Sequence, residues 1–287
     1  MNPSAEPFFL DAEPGQRFCL FHPPQGQCRG ALLYVHPFGD EMNKARRMAA
    51  LTARRMAARG YGVLQLDLYG CGDSSGDFAD ARWEIWLADL EAAHAWLHAR
   101  LGVPAGLWGL RLGGLLALDY ASRGTQSVPD ILLWQPVQQG GAYLKQFLRL
   151  LSVNEMLAQP ESEQGKAASN TSMLRATLLG GQALEVAGYE LAPELAAAID
   201  VLDAAKLAPA PSRVHWFDMV PSADRPLAPA LARLADQWRS QGCDLRLHQV
   251  VGQQFWATQE ISESEELADA SCSALASAMA PLLEESA

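Results

Sequence analysis

Residues 105–120 read AGLWGLRLGGLLALDY, and the fold of the chain turns on how this stretch divides. An apolar run, Gly106-Leu107-Trp108, leads into Gly109-Leu110-Arg111-Leu112-Gly113-Gly114, and an apolar helical pattern follows. The spacing predicts a strand, a sharp turn and a helix, with a glycine two places to either side of Arg111. A turn of this kind, a nucleophile elbow, strains the backbone of its central residue, and side chains two positions away would collide with it. The side chain between the glycines then stands exposed above the carboxyl edge of a sheet. In the G-x-S-x-G form that side chain is a serine; in this chain it is Arg111. A guanidinium stays protonated and cannot attack a carbonyl. The sequence supplies the mounting for a nucleophile and withholds the nucleophile.

Upstream of this turn, Pro7–Leu10 and Arg17–His22 read as short strands separated by the turn signal Glu13-Pro14-Gly15. Gly30–Val35 is a continuous apolar run, as expected of a strand buried on both faces. It opens into the loop His36–Lys44 and then a helical stretch to about Arg59, closed by Gly60. Tyr61–Asp67 is a second buried strand, followed by the glycine-rich loop Tyr69–Gly76. Trp83–Leu101 has helical periodicity, with Trp83, Trp86, Leu87, Leu90 and Leu97 on one side. Downstream, Ile131–Trp134 is a strand stopped by Pro136. The βαβα alternation predicts an α/β fold, a doubly wound, mostly parallel sheet of about eight strands.

The alternation then breaks. Residues 137–207 hold helical patterns at Tyr143–Leu157, Met173–Leu179 and Pro193–Ile199 and a polar piece, Gln159–Ser172. This segment is expected to be a cap over the strand ends, with Leu144, Phe147, Leu148 and Leu151 facing inward and the polar piece its most mobile part. Residues 1–136 and 208–287 form the core around it. Val214–Phe217 resumes the sheet, Leu231–Trp238 is a helix, Asp244–Val250 a last strand and Ser264–Leu283 a closing amphipathic helix.

The elbow fixes where other site residues should fall. The loop after the strand Gly30–Val35 and the residue after the elbow are the usual sources of two backbone donors for an oxyanion, which places them at Phe38 or Gly39 and at Leu112. A catalytic histidine would follow the last strand, where the chain reads Val251-Gly252-Gln253-Gln254-Phe255-Trp256. Gln254 then stands at the base position, and glutamine takes no proton near neutral pH. The acid would follow Val214–Phe217. Asp218 and Asp224 are both available, and Asp224 has the stronger loop character. A guanidinium in a partly enclosed pocket needs a counterion, and Asp40 or Glu41 is expected to meet Arg111. Cys71 reads as a small buried thiol. His94 and His98 share a helix face at metal-compatible spacing but lack a third ligand, so a solvent-facing pair is expected and no metal. The loop Gly70–Gly76 lacks the lysine of a P-loop and the order of a dinucleotide site, and no cofactor is expected.

Composition bounds the partners. The chain has 287 residues, 49% of them apolar and 19% charged, which suits a globular protein with a sizeable core. A net charge of −11 argues against nucleic acid or an anionic membrane as partner. No run approaches the ~18 apolar residues of a membrane span. The first residues, MNPSAEPFFLDAEPG, lack the pattern of a signal peptide. Five cysteines, odd in number and without a CxxC pair, fit a reducing compartment, and a cytoplasmic location is expected.

GLRLGG, the HPFGDEMNK loop and the DLYGCGDSSGD loop together resemble the α/β-hydrolase superfamily over nearly the whole chain. More narrowly, Asp40-Glu41-Met42-Asn43-Lys44, Trp108–Gly113, Leu133-Trp134-Gln135-Pro136, Val186-Ala187-Gly188-Tyr189 and Phe255-Trp256 resemble the family called exosortase A system-associated hydrolase 2. That resemblance implies a bacterial cytoplasmic protein encoded beside a system that sorts surface (PEP-CTERM) proteins and makes exopolysaccharide. It implies an ester or acyl hydrolase by name, yet Arg111 and Gln254 depart from the superfamily's serine and histidine. Two readings follow: a hydrolase with a non-standard site acting on a small, acyl or glycan-derived molecule, or a pseudoenzyme that binds an anionic ligand or a partner protein.

Overall fold

The computed structural model describes residues 4–157, 167–209 and 211–277. Glu6–Asp11 (β1) and Gln16–His22 (β2) form an antiparallel hairpin, and β2 pairs antiparallel with Tyr61–Leu66 (β4). The rest of the main sheet is parallel: Gly30–Val35 (β3), Ala105–Leu110 (β5), Asp130–Trp134 (β6), Arg213–Val220 (β9) and Asp244–Val251 (β10). The eight strands lie in the order β1-β2-β4-β3-β5-β6-β9-β10, a mostly parallel sheet as the alternation of strand and helix patterns predicts.

Continuous apolar runs become strands because each face of the sheet is covered. Leu32, Tyr34, Trp108, Leu110, Leu132, Trp134 and Phe217 point to one side, where Gly39–Ala57 (α1) and Glu265–Ser277 (α8) pack. Leu33, Val35, Leu107, Ile131, Leu133 and Trp216 point to the other. There they meet Trp83–Leu101 (α2), Leu112–Ser122 (α3) and Pro229–Ser240 (α7). Strand neighbours alternate faces, so every residue of β5 is buried. Trp134 reaches through one core to α8, its Nε1 donating to Ser271 Oγ at 2.8 Å.

Between β6 and β9 lie Gly140–Leu157 (α4), Ala167–Leu179 (α5), Leu184–Val186 (β7), Tyr189–Leu191 (β8) and Pro193–Asp200 (α6). Leu144, Phe147 and Leu148 of α4 are buried, and Leu151 packs against the same cluster. The two-stranded hairpin β7–β8 was not expected. Its strands are three residues each, too short to show a period, and its turn places Ala187 at φ 51 and Gly188 at φ 83. The piece expected to be mobile falls largely on residues 159–166, outside the described residues, as does the end of the expected closing helix, residues 278–283.

Two local expectations need correction. The loop after β3 is shorter than expected, because α1 begins at Gly39, and Asp40 and Glu41 lie in its first turn. His94 is not solvent-facing: it is buried, and its Nε2 lies 2.8 Å from the Ala105 carbonyl. His98 is exposed and its Nδ1 contacts the Val103 carbonyl at 2.9 Å. Both histidines fasten α2 to the start of β5.

Candidate functional site

The sheet reverses its direction of winding between β3 and β5: β4 lies on one side of β3, and β5 on the other. Connections from the carboxyl ends of two such strands diverge and leave a crevice, the usual ligand position in open α/β sheets. The α1 start, Phe38–Glu41, and the turn at Arg111 border that crevice.

Arg111 joins β5 to α3 at φ 53, ψ −117, a conformation rare for a side chain of its size. Its peptide groups hold it there. Its N–H donates to the Trp134 carbonyl at 3.0 Å, and its carbonyl accepts from Gly114 and Val137 at 3.1 Å each. The flanking glycines are required by contact. A Cβ at Gly109 would lie 2.5 Å from the Gly114 Cα, and one at Gly113 would lie 2.2 Å from the Val35 carbonyl oxygen. Gly113 thus lets the start of α3 press onto the end of β3.

Of the two carboxylates expected to meet Arg111, Glu41 is the one that does. Arg111 Nε donates to Glu41 Oε1 at 3.1 Å, and Tyr143 of α4 donates its hydroxyl to Oε2 at 3.2 Å. Arg111 Nη1 also reaches the Gln135 carbonyl at 3.4 Å, a weak contact. The guanidinium lies 5.9 Å from the Tyr143 ring centre and 5.6 Å from that of Trp256, in cation–π range. Side chains of Arg111 and Glu41 are 13% and 20% exposed, so the pair is enclosed without being sealed. Burial pushes the Glu41 carboxyl above its ordinary value, with Arg111, Tyr143 and Lys44 pulling the other way.

Asp40, beside Glu41, is exposed and makes no contact with Arg111. Gly39, at φ 63, opens α1 beneath the Tyr189 ring, and Tyr189 also accepts from Asn43 Nδ2 at 3.0 Å. The N–H groups of Phe38 and Leu112 have no hydrogen-bond acceptor among the described residues, as first-turn donors of α1 and α3 would not. The Phe38 ring is the centre of an aromatic group, 5.1 Å from Phe78, 5.0 Å from Phe147 and 5.7 Å from Tyr143. This group binds α4 to the sheet beside Arg111.

The structure places Gln254 in the loop after β10, exposed, with Trp256 rather than Gln254 against the guanidinium. Asp224 is also exposed, held by Ser222, which lowers its pKa. Asp218 lies within β9, half-buried and hydrogen-bonded to Gln135; burial raises its pKa. Gln135, at φ 42, was not foreseen as a site residue. Its carbonyl meets Arg111, its N–H donates to the Phe217 carbonyl at 2.9 Å, and its Oε1 accepts from Met219 at 2.6 Å. Among the described residues Asp218 is therefore linked to Arg111 only through Gln135. Tyr143 and Trp256 were likewise missed as partners of Arg111. His36 braces the crevice from below: its Nε2 accepts from Leu68 N–H at 3.0 Å, so Nδ1 carries the proton toward the Pro37 carbonyl. Burial lowers its pKa. Cys71 is buried and its thiol is pushed up by desolvation, the opposite of an activated nucleophile.

Comparison with known proteins adds the following. Residues 26–176, just over half of the chain, match the family model Hydrolase_4, described as serine aminopeptidase, S33. No curated protein matches the chain. Among solved structures, Est1E from Butyrivibrio proteoclasticus with ferulic acid bound superposes at a TM-score of 0.60 and 12% identity, covering 96% of this chain and 99% of its own. A thermostable carboxyl esterase from Bacillus coagulans with glycerol gives 0.62, 11%, 96% and 99%. A soluble variant of the Saccharomyces cerevisiae monoglyceride lipase with a substrate analog gives 0.59, 16%, 97% and 99%. Identities this low speak for the fold alone.

Proposed function

Because the chain belongs to the Hydrolase_4 (serine aminopeptidase, S33) family of the α/β-hydrolase superfamily, we propose that it keeps the architecture of a hydrolase and uses the elbow to bind an anion instead of attacking an ester. The observation that carries this is Arg111: a cation at the nucleophile position, strained into place, hydrogen-bonded to Glu41 and faced by Tyr143 and Trp256. Gln254 at the base position and Asp224 at the acid position are both exposed, and neither touches Arg111 among the described residues. Phe38 or Gly39 and Leu112 supply backbone donors that would act on an anion whatever the elbow side chain is. Residues 137–207 serve as the cap, with α4 carrying Tyr143 over the site.

The finer resemblance to the exosortase A system-associated hydrolase 2 family supports a cytoplasmic protein working beside surface-protein sorting and exopolysaccharide synthesis. An acyl or glycan-derived acid, or a protein partner offering a carboxylate, is the ligand class that fits. A second reading has one observation in its favour. Glu41, a carboxyl with a raised pKa beside a guanidinium, could activate water against an acyl oxygen held by Arg111.

Fluorophosphonate labelling and p-nitrophenyl ester hydrolysis separate these readings. An anion-binding pseudoenzyme gives no labelling and background turnover, and Arg111→Ser alone restores neither, since the base is still missing. Turnover lost on Glu41→Gln would establish the second reading, and labelling of a serine would overturn both.

A further inference from the structure

We propose that a carboxylate with an apolar body binds at Arg111 by displacing Glu41, which takes up one proton from water as it is displaced. This rests on the elbow being an anion site, and it names the ligand class and the coupled event.

The guanidinium carries more N–H donors than its contacts use. Its hydrogen bonds are Nε to Glu41 and a long one from Nη1 to Gln135; Nη2 has no partner among the described residues. Nor is Nη2 among the buried unpaired atoms, so solvent reaches it. Glu41 thus grips one corner of a fork that could hold a carboxylate by two parallel bonds. A planar anion approaching Nη2 competes with Glu41 for the Nε edge, and a better-placed carboxylate replaces a single contact with a bidentate one.

Charge decides what happens to Glu41. Among the described residues the groups that face it are Arg111 from the elbow, Tyr143 from α4 and Lys44 from the next turn of α1, with Asp40 turned outward beside it. Among the described residues Arg111 alone touches Glu41 with a full charge. When a ligand carboxylate takes that cation, two negative charges share one guanidinium in a partly desolvated site, and one of them must be neutralised. Glu41 is the one already held toward its neutral form by burial. The Tyr143 and Trp256 rings beside the cation, and the Phe38, Phe78 and Phe147 group next to Tyr143, favour an apolar body over a hydrated one.

The test is isothermal titration of octanoate into the full-length chain at several pH values between about 5.5 and 8, each in two buffers of different ionisation enthalpy. The buffer dependence should report uptake of close to one proton at the upper end. Affinity should fall about tenfold per pH unit once pH exceeds the Glu41 pKa. Octanoate should bind at least about tenfold tighter than acetate, because its methylenes leave water. Glu41→Gln should bind octanoate with an affinity that no longer falls with pH, while Arg111→Ala should lose binding. Affinity independent of pH, with no proton uptake but still lost in Arg111→Ala, overturns the displacement of Glu41 and leaves the anion site standing. Inorganic phosphate binding as tightly as octanoate overturns the apolar carboxylate class. No binding of octanoate, acetate or phosphate at any pH overturns both this proposal and the anion site it rests on.

Discussion

At the scale of single residues, two ion pairs in the same chain differ in what they hold. Arg111 and Glu41 are enclosed, so much of their mutual attraction is offset by the cost of desolvating both charges. Glu41→Gln should therefore change stability little near neutral pH, whereas Arg111→Ala, which leaves Glu41 desolvated without its cation, should cost about 1–3 kcal/mol in urea unfolding. The pH dependence has a definite sign. A carboxyl held above its ordinary 4.5 in the folded chain contributes stability that is complete below 4.5 and fades as pH rises through the folded value. That fading should be absent from Glu41→Gln. Arg17 and Asp89 are the contrasting pair: both are fully buried, 2.6 Å apart, with Tyr69 N–H on the second Asp89 oxygen at 2.8 Å and the Tyr69 ring 4.6 Å from the guanidinium. Asp89→Ala strands a buried cation and should cost about 3–5 kcal/mol, seen as a fall in the unfolding midpoint.

At the scale of elements, the junction of β5 and α3 was legible because its glycines answer a steric demand that leaves a mark in sequence. Gly113 must be bare where α3 meets the Val35 and His36 carbonyls, and Gly113→Ala should cost about 1–3 kcal/mol or prevent accumulation of folded protein. The partnership of Glu41 with Arg111 was legible for a related reason: each sits at the carboxyl end of one of two adjacent strands, β3 and β5. Gln135, Tyr143 and Trp256 were not. They reach Arg111 from the loop after β6, from α4 and from the loop after β10, 24, 32 and 145 positions away along the chain, and no local pattern marks a residue by the side chain it will meet. The outward turn of Gln254 and Asp224 escaped notice on the same ground, since counting from a strand end locates a residue without orienting it. His94 and His98 show the limit for helices. Helical spacing put them on one face, but whether that face was wet depended on where β5 begins.

At the scale of the whole molecule, the two faces of the sheet carry separate apolar cores, and buried strands with apolar residues at every position announced this before any contact was known. The segment between β6 and β9 was legible only as a break in alternation, because its helices keep no register with the strands of the main sheet. The strand order has a further consequence, for the nascent chain. From β3 rightward the sheet adds β5, β6, β9 and β10 side by side in the order in which a ribosome delivers them, and β10 ends at an open edge. The strands from β1 to β6 can therefore be in place while β10 is still being made and β9 still lies in the ribosomal tunnel, and a growing chain can fold as it emerges. Trp256 follows β10, so of the two rings that face Arg111 it arrives last, long after Tyr143. Pulsed hydrogen exchange on stalled nascent chains ending after residue 243 should find β3, β4 and β5 amides already protected. The same chains should leave the crevice open on the side that Trp256 will close.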